Sequence, residues 1–394
     1  MALVGDQRSG TMVDSASSVR RIGSRRDNSP AIILLVVTTK KGVHMTDKQR
    51  EEVLKSLTDT FADRLRLPPL GDGSDAVDAI ASVLPSSVEE VRSLSEVAAR
   101  HSVPLVPLGA RTGPESRPTE GGILVRFDLM RAVRSPHPEE PWIEAEPGAS
   151  WLQLEDDLRP RGRGLVVYPT SAPRATVGGW LAQDGLGVGS FEYGWLWENV
   201  LSASVVLAGG ELREVPGEEF KTYFAPEFSK GIVVGARLGT RRAADVPFAA
   251  AFGDAGDLAG AVARIFEARP PLWHVAFLSP AMVRARNLGD DFLLFGAYPG
   301  ERKERVEGDL QSVLGHARGA ALAAADAYRA WGERFFPVAP SRPTPVPTDR
   351  ALVAVENLAN VLDRFSSKAV QGTVARSGEV LLLAFDTRRE DQPR

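Results

Sequence analysis

At 394 residues the chain is long enough for two or three domains of about 150 residues each. Hydrophobic residues at 43% and charged residues at 25% exclude wholesale disorder, and a net charge of −4 gives no global basic field for nucleic acid or anionic lipid. Absence of Cys removes disulfides, thiolate nucleophiles, zinc–thiolate sites and Cys-ligated iron–sulfur clusters together. His44, His101, His137, His274 and His316 all stand more than four residues apart, which excludes a helix-borne HExxH metal pair.

The first 44 residues carry seven Lys/Arg against three Asp. Arg20, Arg21, Arg25 and Arg26 precede the apolar run 31–37, a faint signal-peptide pattern. That run is at the short limit for a signal, lacks a convincing cleavage site and is far too short to span a bilayer. Residues 1–45 therefore read as a disordered extension or a start placed too early, with Met45 as the natural start. Residues 46–77 read as a helix and linker. Thr46 and Gln49 fit a capping box, Leu54, Leu57, Phe61 and Leu65 follow at helical spacing, and Pro68, Pro69, Gly71 and Gly73 end the pattern.

From residue 78 short apolar runs alternate with amphipathic helices. Residues 79–84 predict a strand, and Ser86 with Glu89 a second capping box opening a helix through Val91, Leu94, Val97 and Ala98. Strands at 105–107 and 123–127 complete a βαβ pattern and predict a parallel sheet. After the loop 136–141, residues 142–146 alternate, Pro147 and Gly148 turn, and Ser150 caps a helix to about Arg161. Residues 204–208 and 211–215 read as a hairpin about Gly209 and Gly210.

The usual chemical motifs fail. The sequence contains neither GxxxxGK[ST] nor the G-x-S-x-G elbow, and Gly185-Leu-Gly-Val-Gly189 lacks the dinucleotide spacing. Four loops rich in Gly, Pro, Ser and Thr remain, at 107–113, 169–179, 182–187 and 231–234. Such loops let backbone N–H groups converge on an anion because no Cβ blocks approach. Each alone is an ordinary turn; their order carries the information.

That order resembles the FAD-binding domain of the vanillyl-alcohol-oxidase and p-cresol-methylhydroxylase superfamily, over about residues 78–240. The family's P-S-x-E-E-V helix corresponds to 85–91, its P-x-G-G-G-T-S loop to 107–113 and its G-G-I-x-x-x-x-x-L element to 121–129. Its v-x-x-G-x-x-x-x-x-L element falls at 144–154, P-x-S-x-x-x-A-T-I-G-G at 169–179, A-x-N-A-x-G at 182–187 and Y-G at Tyr193-Gly194. The resemblance implies an α+β fold: a PCMH-type FAD-binding domain of two α/β subdomains at 78–240, and a smaller α+β cap with an antiparallel sheet at 245–394. It implies FAD extended between the subdomains. Pro107, Gly109, Ala110, Arg111, Thr112, Gly113, Thr176, Gly178 and Gly179 would lie at the pyrophosphate, Pro169, Ser171, Asp184 and Gly185 along the flavin and ribityl chain, and Ile232 and Val233 at the adenine. Three residues depart from the pattern. Ala110 and Arg111 replace glycines, with Arg111 either turned to solvent or offering a cation to phosphate. Asp184 replaces Asn. Ala110 also occupies the place of a flavin-linking His in some members, so the FAD is expected to be non-covalent.

In the cap, strands are predicted at 272–278, 291–298 and 378–385, helices at 301–316, 320–334 and 349–366, and a Pro-rich connection at 337–347. The catalytic residue stays unidentified. His274, Arg284, Arg286, Tyr298, Tyr328, Trp331 and Arg334 are the candidates for substrate contact, each with a surface or core role as the competing reading. The resemblance implies an FAD-dependent oxidoreductase taking a hydride from a small hydroxy acid or alcohol to flavin N5, similar to the FAD subunit of glycolate oxidases. Its electrons would pass to oxygen, quinone or an iron–sulfur partner subunit. The alternative is a degenerate, non-catalytic flavin-binding or scaffolding subunit of a larger redox complex. The expected location is the cytoplasm, at a membrane only through a partner, with no transmembrane segment and no nucleic acid.

Overall fold

The computed structural model describes residues 19–21, 45–68, 79–112, 121–135, 140–225, 228–335 and 347–386. The linker 69–78 and the Pro-rich stretch 337–346 lie outside the described residues. The capping box at Thr46 and Gln49 forms as expected and opens the helix Asp47–Phe61, which buries Val53, Leu57 and Phe61. Leu65 has left the helical face: Leu65–Arg66 is a strand antiparallel to Ala81–Val83. Ala81–Val83 and Leu105–Leu108 both run parallel to Ile123–Arg126, with Val88–His101 as the crossover helix. That helix is capped by Ser87, one residue later than expected. Glu90 N donates to Ser87 Oγ at 3.2 Å, and Glu90 Oε2 accepts from Ser86 N at 2.7 Å. Paired serines followed by paired glutamates fit either register by type and spacing. Val53, Leu57 and Phe61 join Leu94, Leu105 and Ile123 in one core, so the segment expected as helix and linker is part of this layer.

Val206, Ile232 and Val234 enter the same core from a second, antiparallel sheet. Its order is Leu212–Pro216, Val200–Leu207, Gly231–Arg242, Trp142–Ala145 and Val133–Arg134, with Arg163–Leu165 pairing the far end of the long strand. Gly209 and Gly210 take φ of +77° and +86° in the connection between its first two strands, a backbone that suits glycine.

The third sheet has eight antiparallel strands, in the order Val19–Arg21, Asp349–Ala354, Glu379–Phe385, Ala369–Val374, His274–Leu278, Phe292–Pro299, Asp245–Phe252 and Ala320–Ala321. Glu379–Phe385 shows how it is buried. Val380, Leu382 and Ala384 face the core shared with helices Ala255–Ala268, Lys303–His316 and Leu358–Arg364. Leu381, Leu383 and Phe385 belong instead to the core that contains Trp151, Tyr168, Leu181 and Val205 of the second layer. Alternate side chains of one strand thus weld the cap to both neighbours.

Several expectations change here. Residues 349–366, expected as one helix, begin as the strand Asp349–Ala354, in which Ala351 and Val353 alternate toward the core, and turn helical only at Leu358–Arg364. The helix expected at 320–334 spans Ala324–Gly332 after a two-residue strand. The strand Ala369–Val374 is buried on both faces, so it carries no polar alternation to reveal it. Within the amino-terminal extension, Val19–Arg21 pairs with Ala351, Leu352 and Val353, so the extension is not wholly without structure.

The junction between the second layer and the cap holds a buried ion pair. Arg241 Nη1 and Nη2 donate to Asp245 Oδ1 and Oδ2 at 2.7 and 2.9 Å, with both side chains under 10% exposed. The guanidinium also sits 3.3 Å from the ring centre of Trp273. Asp245→Ala would leave a buried cation without its counter-charge, a change that costs about 3–5 kcal/mol. The expected outcome is a lower urea midpoint for Asp245→Ala, with a smaller loss in a double variant that also replaces Arg241 by Met.

Candidate functional site

The loop after Leu105–Leu108 meets the first turn of helix Val177–Gln183 through two glycines. A Cβ on Gly109 would stand 3.3 Å from Gly179 Cα and 2.8 Å from Thr176 Oγ1; one on Gly179 would stand 3.4 Å from Gly109 Cα. Thr176 caps the helix, its Oγ1 accepting from Gly179 N at 3.3 Å. Gly178 N donates to Pro147 O at 2.9 Å, and a Cβ on Gly178 would meet Pro147 Cβ at 2.8 Å. Gly178 therefore packs on the Pro147 turn, while Gly179 faces the opposite loop.

Around this contact lies an open cleft. Pro107, Gly109, Ala110, Arg111, Thr112, Thr176, Gly178 and Gly179 line it, with Ile232 and Val233 on its apolar floor beside Phe224. A second, smaller cavity shares Thr112, Trp180 and Gln183 with the first and continues it toward the cap. Pro169, Ser171 and Asp184 line this part, closed from the cap by Pro347, Arg350, Leu381 and Leu383. The expected cofactor residues thus fall along one trough, apart from two. Gly113 lies outside the described residues, and Gly185 lines neither part. A Cβ on Gly185 would meet Trp180 Nε1 at 2.9 Å, so its bare backbone lets the indole pack.

Arg111 and Asp184, two of the departures from the resembling pattern, hold φ of +51° and +52°. Asp184 has ψ of 166°, a combination that side chains other than glycine rarely adopt. The carboxylate is 9% exposed and Oδ1 accepts from Trp197 N at 3.2 Å. Burial pushes its pKa up to about 6, against the opposing pull of the Gly185 and Trp197 N–H groups, Lys221 and Arg350.

The substrate-contact candidates of the cap do not reach the trough. His274 is fully buried, its Nδ1 accepting from Gly189 N at 3.3 Å, and burial followed by the Arg334 charge pushes its pKa down to about 3. It is a neutral core histidine. Tyr298 is buried in the helix-side core, and Tyr328 is 57% exposed. Arg334 is buried, donating through Nε to Tyr168 Oη at 3.1 Å and stacking on Trp331 and Phe335. Arg286 donates to Phe335 O at 2.7 Å and to Gln371 Oε1 at 3.4 Å, while Arg284 reaches only Asp290 O at 3.5 Å. Trp331 packs edge-on against Trp273. Arg286 thus ties parts of the cap to one another, whereas His274 and Arg334 tie the cap to Gly189 and Tyr168 of the second layer. Arg350, Leu381 and Leu383 were not among the expected site residues. Arg350 was hidden by reading its strand as helix, and the unbroken apolar run 380–385 marks a strand buried on both faces without saying which leucines face the trough.

Residues 79–216 match the FAD binding domain family. A mitochondrial D-lactate dehydrogenase [cytochrome] of Arabidopsis thaliana is 33% identical over 132 residues, 33% of this chain and 23% of that protein. A glycolate oxidase subunit of Bacillus subtilis is 26% identical over 140 residues, 35% of this chain and 30% of its own length. The chain thus matches less than a third of the length of these two relatives. In three dimensions p-cresol methylhydroxylase aligns with a TM-score of 0.65 at 16% identity, covering 86% of this chain and 84% of that one, a likeness of fold. The glycine contact, the trough and these similarities agree: residues 79–216 match the FAD binding domain family, and the chain shares the fold of p-cresol methylhydroxylase.

Proposed function

We propose that the chain is an FAD-dependent oxidoreductase that takes a hydride from a small 2-hydroxy acid or alcohol, with FAD held non-covalently along the trough. The observation that carries this reading is the side-chain-free contact of Gly109 with Gly179 at the middle of a trough that ends against the cap. The residues present fit FAD. Bare backbone at Gly109 and Gly179 suits close approach of a pyrophosphate, the floor of Ile232, Val233 and Phe224 suits adenine, and the Thr112–Trp180–Asp184 end continues the trough toward the cap, where the ring would lie. Gly109, Thr112 and Gly179 would hold the phosphates. Ser171 and Asp184 would border the flavin, and Leu381, Leu383 and Pro347 would exclude water beside it. Ala110 offers no group for a covalent bond. Bound FAD supplies the two-electron acceptor, and the names of the dehydrogenase and oxidase relatives support a hydroxy acid as donor. Electrons would then go to oxygen, quinone or an iron–sulfur partner subunit. Among the described residues no helix is long and apolar enough to cross a membrane.

A non-catalytic flavin-binding or scaffolding subunit is the second reading, favoured by one observation: none of the polar cap residues expected to meet substrate lines the trough. Anaerobic spectra separate the two. The enzyme reading expects glycolate, D-lactate or another small hydroxy acid to bleach the flavin band within minutes. Protein that keeps its oxidised spectrum across a broad panel, yet is reduced by dithionite, would support the scaffold.

Placement of the cofactor has its own test. Gly179→Val puts branched carbons where Thr176 Oγ1 and Gly109 Cα already stand and drives the loops apart. Losing one or two charge-assisted hydrogen bonds at about 1.5–3 kcal/mol each weakens binding by 10²-fold or more. The variant should purify largely colourless while the parent is yellow and releases all its FAD on acid precipitation. Arg111→Gly should keep its FAD and remove about 1 kcal/mol of left-handed strain at φ +51°. A full complement of flavin in Gly179→Val would show that this turn does not hold the pyrophosphate.

A further inference from the structure

Among the described cavities around the cofactor trough, the one at the cap end has walls from both the flavin-side loops and the cap. Arg350 comes from the cap strand Asp349–Ala354, and Asp184 from the end of helix Val177–Gln183. The rest of the lining is uncharged: Thr112, Pro169, Thr170, Ser171, Trp180, Gln183, Leu186, Pro347, Leu381 and Leu383. Asp184 and Arg350 are the charged residues in the lining of this small, partly apolar cavity, a pair that matches the two functional groups of a 2-hydroxy acid. Resting on the hydroxy-acid reading above, we infer that Asp184 is the catalytic base that takes the substrate hydroxyl proton, while Arg350 holds the substrate carboxylate.

In the step the O–H bond breaks and its proton goes to the Asp184 carboxylate. The electron pair of the substrate C–H bond leaves as hydride to the flavin, which is the two-electron oxidant. A C=O bond forms, giving the 2-oxo acid, and the proton later passes from Asp184 to solvent. The site is built for a carboxylate that accepts and returns a proton. Asp184 is held on a strained backbone and anchored through Oδ1 to Trp197 N. The groups that face it are the Gly185 and Trp197 N–H, Lys221 from helix Gly217–Tyr223 and Arg350 from the cap strand. Lys221 is itself drawn over the Trp197 ring at 4.6 Å. Against all four, burial still leaves the carboxyl titrating near 6, so it is ionised at neutral pH yet basic enough to take a proton. The plain alternative is a structural residue that caps Trp197, and Asn would serve that role as well.

Asp184→Asn therefore decides between them, because the amide oxygen can still accept from Trp197 N. Both variants are made in the full chain with FAD bound, and the reductive half-reaction is followed by stopped flow from pH 5 to 9. In the parent, flavin reduction by the best hydroxy acid of the panel should rise with pH through about 6 and then level off. Asp184→Asn should retain FAD, lose that rise and reduce its flavin at least about 100-fold more slowly. Equal rates and an unchanged pH profile in Asp184→Asn would overturn the role of the carboxylate. Oxalate, a two-carboxylate probe, gives a readout independent of turnover. Calorimetry should show it binding the parent, and binding at least about tenfold more weakly to Arg350→Gln. Unchanged oxalate affinity in Arg350→Gln, or no binding to the parent, would overturn the carboxylate site. A parent that binds oxalate through Arg350 but is reduced by no hydroxy acid would overturn the hydroxy-acid reading and the proton step, while upholding the anion site.

Discussion

The structure turns on a place where two glycines bring backbone against backbone beside the Thr176 hydroxyl. Gly109 and Gly179 approach so closely that a methyl group on either would meet the other's Cα within 3.4 Å. Thr176 fixes the turn by capping the helix that follows, and Gly178 ties the same turn to the carbonyl of Pro147. The parallel layer and the antiparallel layer are thereby set at one separation. Their shared core, with Ile232 and Val234 packed beside Ile123 and Leu105, holds that separation from behind. The trough is what remains between two layers so fixed: bare backbone at its middle, apolar floor at one end, and the cap at the other. Close-packed interiors resist gradual deformation, so the width of this cleft is set by the packing and not by what fills it.

The cap is part of the same construction. Strand Glu379–Phe385 divides its side chains between two cores. Leu381 and Leu383 serve both the weld to the second layer and the wall of the cavity. A cap joined by a continuous apolar core, with a buried Arg241–Asp245 pair at the crossing, does not swing as a separate body without exposing that core. The walls at the cap end accordingly hold fixed positions, and Arg350 is the charged residue that the cap contributes to them.

How far the sequence revealed this depends on what kind of signal each part leaves. The loops at 107–113 and 169–179 were legible through their order in the resembling pattern, and the glycines of that pattern stand where close backbone contact demands them. Such constraints act on residue identity directly. The cap leaves no such mark. His274, Arg286 and Arg334 were singled out by chemical type, yet each spends its hydrogen bonds on neighbouring backbone, on Gln371 or on Tyr168. Type does not say which way a side chain faces. Arg350 went unseen because its segment, Asp349–Ala354, carries too little alternation to mark a strand until its partner Glu379–Phe385 is in place. The paired Ser86-Ser87 and Glu89-Glu90 allowed two capping registers, and only tertiary packing selects between them.

The departures at Arg111 and Asp184 have a common physical form. Each puts a side chain on backbone where φ is positive, and each lies on the wall of the trough. Positive φ costs a non-glycine residue roughly 1–2 kcal/mol, and at Asp184 the burial of a charge adds to it. A protein gains nothing in stability from such choices; glycine at the first and asparagine at the second would both be easier to fold. Strain that persists must be held in place by its surroundings, and at Asp184 those are identifiable: the Trp197 N–H, the neighbouring Gly185 and the positive charges of Lys221 and Arg350. The adjoining Gly185 N–H and three groups from separate parts of the chain surround one unfavourable carboxylate at the end of the trough. Their convergence is easier to explain by what the carboxylate does there than by any contribution it makes to the fold.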